Sequence, residues 1–372
     1  MNNKKKLAII GASLFQNALI IKAKEMGLET HVFAWKTGDV GETLADYFYP
    51  ISTREKEAIL DKCRELKIDG IASIGSDIAM ETVNYVACEM GLVGNSVEAT
   101  KKSTNKHWMR EAFWEGGDPS PKSILVDGST DCDELEKRIE YPVIVKPTDR
   151  SGSRGVKLIW DIDALKVAVK EAVDASWEHK ALVEEYADGE EYSIEYISYR
   201  GKHWLLAVTH KTTTGAPFFM ETGHVQPAPI TDELKEKIRR VCDHALDTLG
   251  LENGAAHIEL KIDEKENIKL IEIGGRMGGG FIGSDLVQLS TGYDYVKAVA
   301  EVAMGKELQE PQLKSEGTAS VKFIITEDDY DEFQRLKKTN PECIVRAHVA
   351  EQFSNTVHNI DERDDYYIYR IK

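Results

Sequence analysis

The segment AAHIELKIDEKENIKLIEIGG, residues 255–275, most constrains the fold, because it is typical of two antiparallel strands joined by a tight turn. A turn centred between Lys265 and Glu266 predicts three cross-strand pairs: Asp263 with Ile268, Lys261 with Leu270, and Glu259 with Glu272. Like charges directly opposite each other destabilise a sheet, since their Cβ atoms lie only about 4.5–5.5 Å apart. A divalent cation would offset that cost, and Mg²⁺ binds one or two protein carboxylates together with phosphate and water oxygens. The alternative is another register, with one glutamate solvated at a sheet edge.

The composition of the 372-residue chain narrows the class of protein. The 47 Lys+Arg against 64 Asp+Glu leave a formal charge of -17, which repels nucleic acid and anionic membrane surfaces. Five cysteines, an odd number without a CxxC pair, argue against a disulfide framework or a zinc site. Gly11, Gln16 and Asn17 interrupt the first apolar run, and no apolar stretch reaches the roughly 20 residues that span a bilayer. We therefore expect a cytoplasmic protein of two or three domains, with no nucleic-acid or membrane partner.

Residues 6–100 alternate short apolar strands with helical stretches. The strands are LAIIG, THVFAW and DGIASIG, and the helices run through Lys24 and over residues 55–66. This alternation predicts a parallel sheet with helices on its faces. Ligands of such sheets bind beyond the carboxyl ends of the strands, here near residues 11–16 and near Ser76 and Asp77. The sequence GASLFQ lacks two glycines of the GxGxxG pattern, which argues against a dinucleotide site.

The rest of the chain is predicted to be α+β. Residues 120–200 contain the strands KSILV, YPVIVKP, VKLIW, ALVEEY and EYSIEYISY, with a helix over residues 161–174 among them. Residues 200–310 contain the hairpin and a helix that begins at Thr231 or Asp232 and stops at Gly250. Further strands and a short helix follow from about residue 315. The fold class is therefore α/β, continued by α+β.

Two lysines and a loop are candidates for binding phosphate groups. Lys106 lies in the first turn of a helix capped by Thr104 or Asn105, where a cation opposes the helix dipole unless an anion binds there too. Lys146 ends the apolar strand PVIV between two prolines. The loop after it can fold its amides and hydroxyls over phosphates, through Ser151, Gly152, Ser153 and Gly155. The alternatives are a solvated lysine, a lysine snorkelling at a strand end, and a plain hairpin turn.

Acidic residues and one arginine complete the set of candidates. Exposed backbone at the end of a strand can bind an adenine edge, and a carboxylate can accept two ribose hydroxyls. The candidates for these roles are Glu184, Glu185, Tyr186, Ala187 and Glu191. The alternative is that these acids are simply solvated beside a turn. Arg276 follows Glu272 within a glycine cluster and offers a planar fork for phosphate or carboxylate.

Taken in this order, the candidates resemble those of the ATP-grasp carboxylate–amine ligases, over roughly residues 1–310. Within that superfamily the chain is most similar to the L-amino-acid-ligase, purine-biosynthesis and biotin-carboxylase-like branches. The resemblance implies an ATP-grasp fold with a Rossmann-like parallel-sheet domain at residues 1–103. It further implies a lid subdomain with a linking helix at residues 104–200, and a catalytic subdomain with a tail at residues 201–372.

The resemblance also implies roles for individual residues, with ATP and Mg²⁺ as cofactors and Mn²⁺ as a substitute metal. Lys106 and Lys146 would contact the phosphates under the Ser151–Gly155 loop. Glu184 and the backbone of 185–187 would hold adenine, and Glu191 the ribose. Glu259 and Glu272 would hold the metal. Lys146 and Arg276 would be catalytic, with Arg276 holding phosphate and the reacting carboxylate.

One position departs from the family pattern. Many members have EINPR after the second strand, where the asparagine is a further metal ligand, whereas this chain has Gly274. Either fewer protein ligands hold a second metal, or His257 or a water takes the place of the asparagine. The amino-acid-ligase branch also lacks this asparagine, which favours that branch.

The segment of residues 210–226 is the candidate substrate pocket. Its polar density between two apolar strands is unusual for a connector, although a solvated hairpin loop is the alternative. The candidate substrate residues are Lys211, Thr212, Glu221, His224, Arg276, Gly278 and Gly279.

The function expected from these features is ATP-dependent joining of a small-molecule carboxylate, possibly of an amino acid, to an amine through an acyl phosphate. The alternatives are a purine-biosynthesis or biotin-carboxylase-like enzyme, and a nucleotide-binding scaffold without catalysis. The sequence leaves open whether the protein forms a homodimer.

Overall fold

The computed structural model describes residues 4–216, 219–353, 356–357 and 363–371, whose strands form three sheets. The strands are β1 (Lys6–Ile10), β2 (Glu29–Phe33), β3 (Tyr47–Tyr49), β4 (Gly70–Ala72), β5 (Ser123–Asp127), β6 (Val143–Pro147), β7 (Lys157–Ile159), β8 (Lys180–Glu185), β9 (Glu190–Tyr199), β10 (Lys202–Thr213), β11 (Glu221–Gln226), β12 (Gly254–Ile262), β13 (Ile268–Gly274), β14 (Thr318–Phe323), β15 (Ile344–His348) and β16 (Tyr366–Ile371). The α-helices are α1 (Asn17–Glu25), α2 (Val40–Leu44), α3 (Lys56–Leu66), α4 (Asp77–Met90), α5 (Val97–Thr104), α6 (Lys106–Gly116), α7 (Cys132–Glu136), α8 (Ile162–Ala175), α9 (Asp232–Leu249), α10 (Val287–Thr291), α11 (Tyr295–Ala303) and α12 (Glu327–Thr339).

The parallel sheet lies at the N-terminal end of the chain, with strand order β3-β2-β1-β4. Its central strand β1 is continuously apolar, as expected of a strand that is buried on both faces. Helices α3 and α4 pack on one face, and α1 and α11 pack on the other. The predicted alternation of strands and helices is thus confirmed. Helices α4 and α5 and the short elements α2 and β3 were not predicted.

A small antiparallel sheet, of order β5-β8-β6-β7, follows in the chain. Helix α8 covers one face, beginning at Asp161, whose side chain accepts a hydrogen bond from the amide of Ala164. The buried side of α8 includes Leu165, Val169 and Val173, which pack against strands β6 and β8. Every strand predicted for this region is present. The loop of residues 148–155 joins β6 to β7.

The large antiparallel sheet has the order β13-β12-β9-β10-β11-β14-β16-β15. Helices α6 and α9 pack on one of its faces. Helix α9 begins at Thr231, which caps the amide of Leu234, and ends at Gly250 in a left-handed conformation, as the sequence predicts. Strands β14 to β16 and α12 are the strands and helix predicted for the tail.

Sheet membership divides the chain differently from the predicted boundary at residue 200. That boundary falls in the turn between β9 and β10, which pair with each other from Tyr199 and Lys202 to Glu191 and Lys211. By sheet membership, the second and third units meet at residues 186–189. Helix α6, which lies within the predicted second unit, packs with α9 in the core of the large sheet. Within the described residues, no helix is long and apolar enough to cross a membrane.

Candidate active site

Strands β9, β10 and β12 carry polar residues on the face of the large sheet opposite α9. Successive side chains of a strand point to opposite faces, so Ile194 and Tyr196 pack towards α9 while Glu191 and Glu195 face away. Cross-strand pairing puts His257 opposite Glu195 and puts Lys211 opposite Glu191. This polar face is where the predicted metal and substrate residues meet.

Glu259 and Glu272 are cross-strand partners, as the sequence predicts. The register nearer the turn was predicted wrongly, because Lys261 pairs with Lys269 rather than with Leu270. A β-bulge accounts for the difference: Leu260 pairs with Leu270, so Ile271 is the extra residue on β13.

The turn of the hairpin explains the shifted register. Asp263 does not face Ile268, because its amide donates to the carbonyl of Asn267. Its carboxylate accepts from the amides of Lys265 and Asn267, at 2.8 Å each, and Glu266 adopts a left-handed φ of 59°. This tighter turn moves the strands by one residue, and the bulge restores the pairing of the two glutamates.

Each of the two glutamates is held by a lysine. The Nζ of Lys106 donates to Oε1 of Glu272 at 2.8 Å and to the carbonyl of Arg150 at 2.7 Å. The Nζ of Lys211 lies 2.7 Å from Oε1 of Glu259. Lys106 is only 6% exposed, so it is not the solvated lysine that was the alternative. The cross-strand repulsion is therefore offset by two ammonium groups of the chain itself, without requiring a metal.

Lys211 is surrounded by carboxylates on three strands. Its Nζ lies 2.7 Å from Glu191 and 3.0 Å from Glu221, in addition to its contact with Glu259. Burial disfavours the ammonium, but Glu259, Glu221 and Glu191 together raise the pKa of Lys211 well above its ordinary value. Lys211 is thus permanently charged and holds three acidic side chains at one point.

Arg276 lies beside this group, at the end of the hairpin. Its Nε and Nη2 donate to the two carboxylate oxygens of Asp77, at 2.8 and 2.9 Å. Glu195, which is fully buried, accepts from the amide of Gly278 at 3.0 Å and lies 2.5 Å from Nδ1 of His257. A Cβ on Gly278 would lie 2.4 Å from Glu195, so only glycine fits there.

A second buried ionic group lies on the side of the small sheet. The Nζ of Lys146 lies 2.6 Å from Oε2 of Glu184, and the Nε of Arg110 lies 3.0 Å from Oε1. Burial lowers the pKa of Lys146 in spite of the opposing carboxylate. Burial also disfavours the Glu184 anion, but Arg110 and Lys146 hold the pKa of Glu184 below its ordinary value. Lys146 is therefore fixed in a buried ion pair rather than snorkelling.

The loop between β6 and β7 is hydrogen-bonded to α6 through both the backbone amide and the side chain of Lys106. The amide of Lys106 donates to the carbonyl of Thr148 at 2.8 Å, and the Lys106 ammonium binds the carbonyl of Arg150. The residues that follow are mostly exposed, and Gly152, Ser153 and Gly155 adopt left-handed φ angles. A single lysine thus joins the loop to the Glu272 carboxylate.

Residues 139–285 match the model of the family described as "ATP-grasp domain". The chain contains an ATP-grasp domain. It is 28% identical to alanine–anticapsin ligase of Bacillus subtilis over 313 residues, which cover 74% of this chain and 65% of that protein. The chain thus spans about two thirds of the length of this relative.

Solved structures share the ATP-grasp fold over nearly the whole chain. The L-amino acid ligase from Bacillus licheniformis has a TM-score of 0.83 at 22% identity, covering 99% of this chain and 94% of that one. The N5-carboxyaminoimidazole synthetase from Staphylococcus aureus, complexed with ADP, has a TM-score of 0.80 at 17% identity, covering 99% and 94%. The predicted fold is confirmed, including its N-terminal parallel-sheet domain.

The donor set of the candidate site fits Mg²⁺. Glu259 and Glu272 present carboxylate oxygens from neighbouring strands, and their side chains are 25% and 23% exposed. Among the described residues, no group of three or more His, Cys, Asp or Glu side chains is arranged to hold a metal ion. Two carboxylates agree with the preference of Mg²⁺ for few protein ligands, completed by phosphates and waters.

Both ring nitrogens of His257, the candidate for the missing metal ligand, face carboxylates. Nδ1 lies 2.5 Å from Glu195, and Nε2 lies 3.3 Å from Glu259. Burial disfavours the charged ring, but Glu195 and Glu259 outweigh this and raise the pKa of His257 to about 9. Gly274 leaves no room for an asparagine, because a Cβ there would lie 2.5 Å from Oδ1 of Asp77.

The residues predicted to bind the nucleoside lie at the junction of the small and large sheets. The Glu184 carboxylate is occupied by Lys146 and Arg110. Glu185 lies 2.6 Å from the Lys269 ammonium, and Glu191 contacts Lys211. The ring of Tyr186 lies 5.7 Å from the Lys261 ammonium, and Ala187 is buried. The backbone of residues 185–187 remains the candidate for adenine.

Of the predicted substrate residues, Glu221 lies 3.0 Å from the Lys211 ammonium and His224 is the cross-strand partner of Lys211. The hydroxyl of Thr212 instead donates to the carbonyl of Gly223. Burial disfavours the charged form of Glu221, yet Lys211, His224 and Arg363 hold the pKa of Glu221 well below its ordinary value. Burial lowers the pKa of His224, so its ring is neutral near pH 7. A Cβ at Gly279 would meet nothing within 4 Å, so this position has open space.

Sequence reasoning missed several residues of the site. Arg110 lies four residues after Lys106 on the same helix face, a spacing that could have identified it. Glu195 follows Glu191 on the same face of β9, by the period of two. Arg363 comes from the tail, and no local signal points to it. Asp77 was placed near a ligand but given no role.

Proposed function

We propose that this chain is an ATP- and Mg²⁺-dependent ligase that joins a carboxylate to an amine through an acyl phosphate. The observation that carries the proposal is the contact of Lys106 with both Glu272 and the carbonyl of Arg150. This one ammonium joins helix α6, the loop of residues 148–155 and the paired glutamates. Such a convergence suits a nucleotide triphosphate with its metal, and the structural neighbours include ADP complexes.

The reaction needs positioned charge more than reactive side chains. A carboxylate oxygen attacks the γ-phosphorus of ATP and ADP leaves; the amine then attacks the acyl carbon, and phosphate leaves with that oxygen. Phosphoryl transfer requires mainly alignment and neutralisation of charge. The reactive acyl phosphate has to be kept from water, which would otherwise hydrolyse it.

The residues of the site divide this work. Lys106 and Lys146 bind the phosphates, and the loop of residues 148–155 covers them. Glu259 and Glu272 would hold Mg²⁺, which would supply neutralisation of the phosphate charge. Arg276 binds the reacting carboxylate and later the phosphate. Glu184, which the sequence suggested for adenine, instead orients Lys146, while the backbone of 185–187 binds adenine and Glu191 the ribose.

An amino acid is the substrate class that we favour. Alanine–anticapsin ligase and L-amino acid ligase are among the relatives by sequence and by structure. The buried acidic and basic groups around Lys211 suit a zwitterion, because Glu221 and Arg276 offer one partner of each sign. The purine-biosynthesis and biotin-carboxylase-like alternatives are supported by structural similarity alone.

Metal binding is expected to depend on the nucleotide. Lys106 and Lys211 have to release Glu272 and Glu259 before a divalent cation can bind there, and phosphates supply new anions for Lys106. We expect ADP to tighten Mn²⁺ binding at least tenfold, a coupling of about 1.4 kcal/mol or more. Electron paramagnetic resonance of free Mn²⁺ measures this, with an ADP blank that lacks protein.

Lys106→Met is the informative variant for this coupling. It should bind Mn²⁺ more tightly than the wild type without ADP, and ADP should then add less. Lys102→Met is the matched control, since Lys102 forms an exposed pair with Glu98 on the preceding helix. Equal Mn²⁺ affinity of the wild type with and without ADP would refute the exchange of partners.

The function itself is tested by ADP release from Mg·ATP against a matrix of amino acids and small carboxylates paired with amines. Glu272→Gln serves as the blank. We expect release that requires one carboxylate and one amine together. If ATP binds but no pair of substrates gives ADP release above the blank, the scaffold alternative is favoured. That alternative is physically sound because Lys106 and Lys211 neutralise the two glutamates without a metal.

A further inference from the structure

The contact between Asp77 and Arg276 joins residues 199 positions apart. Asp77 lies in the first turn of α4, just beyond the carboxyl end of β4 in the parallel sheet. Arg276 follows the second strand of the hairpin in the large sheet. Their side chains are only 13% and 14% exposed, and both donor–acceptor distances are below 3.0 Å. This is a two-point contact between a planar fork and a carboxylate, which fixes orientation as well as distance.

The sequence provides for this contact at both ends. Ser76 caps α4, and an acidic residue in the first turn of a helix is stabilised by the helix dipole. At the other end, the absence of a side chain at Gly274 makes room, because a Cβ there would lie 2.5 Å from Oδ1 of Asp77. The residue that departs from the family pattern is therefore the one that admits Asp77.

The contact leaves one edge of the guanidinium for other partners. Asp77 takes Nε and Nη2, and Nη1 lies 3.4 Å from the carbonyl of Met277. Burial opposes the charge of Arg276, but Asp77, Glu259 and Glu272 raise the pKa of its guanidinium, which follows Glu272 by four residues. Its orientation relative to the paired glutamates is set by a carboxylate from another part of the chain.

Two further contacts connect the same surfaces. The amide of Gly75 donates to the carbonyl of Met277 at 3.3 Å, and the rings of Phe15 and Phe281 lie 6.0 Å apart. The carboxyl ends of β1 and β4 thus meet the segment that follows Arg276. The N-terminal sheet is not a separate module but forms one wall of the site.

We propose that Asp77 is a positioning residue that orients Arg276 for the phosphate and carboxylate of the ligase reaction. The proposal rests on the proposed function and deepens it, because the site is complete only when the N-terminal sheet is docked. Asp77 acts through Arg276 and has no contact with the reacting groups. Gly274 permits this at the expense of an additional metal ligand.

The test uses inorganic phosphate as the probe of Arg276, in the full chain loaded with Mg·ADP. Calorimetry gives the Kd of Mg·ADP and then the Kd of phosphate. Asp77→Asn should weaken phosphate binding roughly 10- to 100-fold, as expected for one charge-assisted contact. It should leave the Kd of Mg·ADP within about twofold, because the lysines that bind the nucleotide are untouched. Asp77→Glu, which keeps the charge, should retain more phosphate affinity than Asp77→Asn.

Two more variants separate positioning from folding. Gly274→Ala leaves both charges in place but pushes on Asp77, so it should weaken phosphate binding in the same direction. Glu89→Gln is the matched control on the same helix, where Glu89 forms an exposed pair with Arg64, and it should change neither constant.

The outcomes are distinct. Unchanged phosphate affinity in Asp77→Asn, with Mg·ADP still bound, overturns the positioning role and leaves the ligase proposal standing. Equal loss of phosphate and Mg·ADP affinity also overturns it, since that pattern means general damage to the site. A wild-type chain that does not bind Mg·ADP overturns the proposed function, and this inference with it.

Discussion

Glu272→Gln abolishes turnover in our account and also destabilises the fold. Glu272 would hold the Mg²⁺ that neutralises phosphate charge, so removing its charge should lower turnover by about 100-fold or more. The same change removes the counter-ion of Lys106, a nearly buried ammonium held at 2.8 Å. Because Glu272 is 23% exposed, we expect a loss of about 1–3 kcal/mol in the free energy of unfolding, below the figure for a fully buried pair.

The direction of the stability change distinguishes two explanations of the paired glutamates. Unrelieved repulsion between Glu259 and Glu272, as in a scaffold that binds no metal, would make Glu272→Gln more stable. Relief by Lys106 and Lys211 makes it less stable. Urea unfolding measures this, with Glu264→Gln in the exposed turn of the same hairpin as the control. A gain in stability, or retained turnover, contradicts the account of this site.

Arg110→Met is expected to have the largest effect on stability. The substitution leaves Glu184, which is 3% exposed, with Lys146 as its remaining charged partner. Removing one member of a buried ionic group typically costs about 3–5 kcal/mol, because a charge is left without full compensation. The Ile271 carbonyl at the bulge also loses the 2.7 Å hydrogen bond from Arg110.

An exposed arginine gives the matched control for this variant. Arg64→Met removes an ion pair with Glu89 whose side chains are both nearly half exposed, and should change stability by less than about 0.5 kcal/mol. The urea midpoints of both variants are compared with that of the wild type. Arg110→Met within about 1 kcal/mol of the wild type would mean that the buried group contributes little.

Local patterns predicted much of the fold. The period of two in residues 255–275 identified the hairpin and the pairing of Glu259 with Glu272, and the helical period and caps identified α9. Small elements such as α2, β3 and α7 were missed, since five or fewer residues carry little periodic signal. The register near the turn was wrong because the Asp263 carboxylate organises a turn whose tightness the strand pattern does not encode.

The candidate site was predicted as residues but not as contacts. Lys106, Lys211, Glu259 and Glu272 were all named, yet their pairing into two ion pairs depends on how three sheets pack. Asp77 with Arg276 and Arg363 with Glu221 are contacts across 199 and 142 positions, and nothing local specifies such partners. The role of Gly274 could not be predicted for the same reason. The effect of a missing side chain at this position depends on Asp77, which lies beside it only in the folded chain.

Transfer of oxygen from substrate to phosphate distinguishes an acyl-phosphate intermediate from any other route. The carboxylate that supports ADP release is prepared with ¹⁸O in its carboxyl group, and the released phosphate is examined by ³¹P NMR or mass spectrometry. Formation of an acyl phosphate predicts one ¹⁸O atom in each phosphate formed with product. Phosphate without ¹⁸O, with ADP and amide formed in equal amounts, would contradict the acyl-phosphate route.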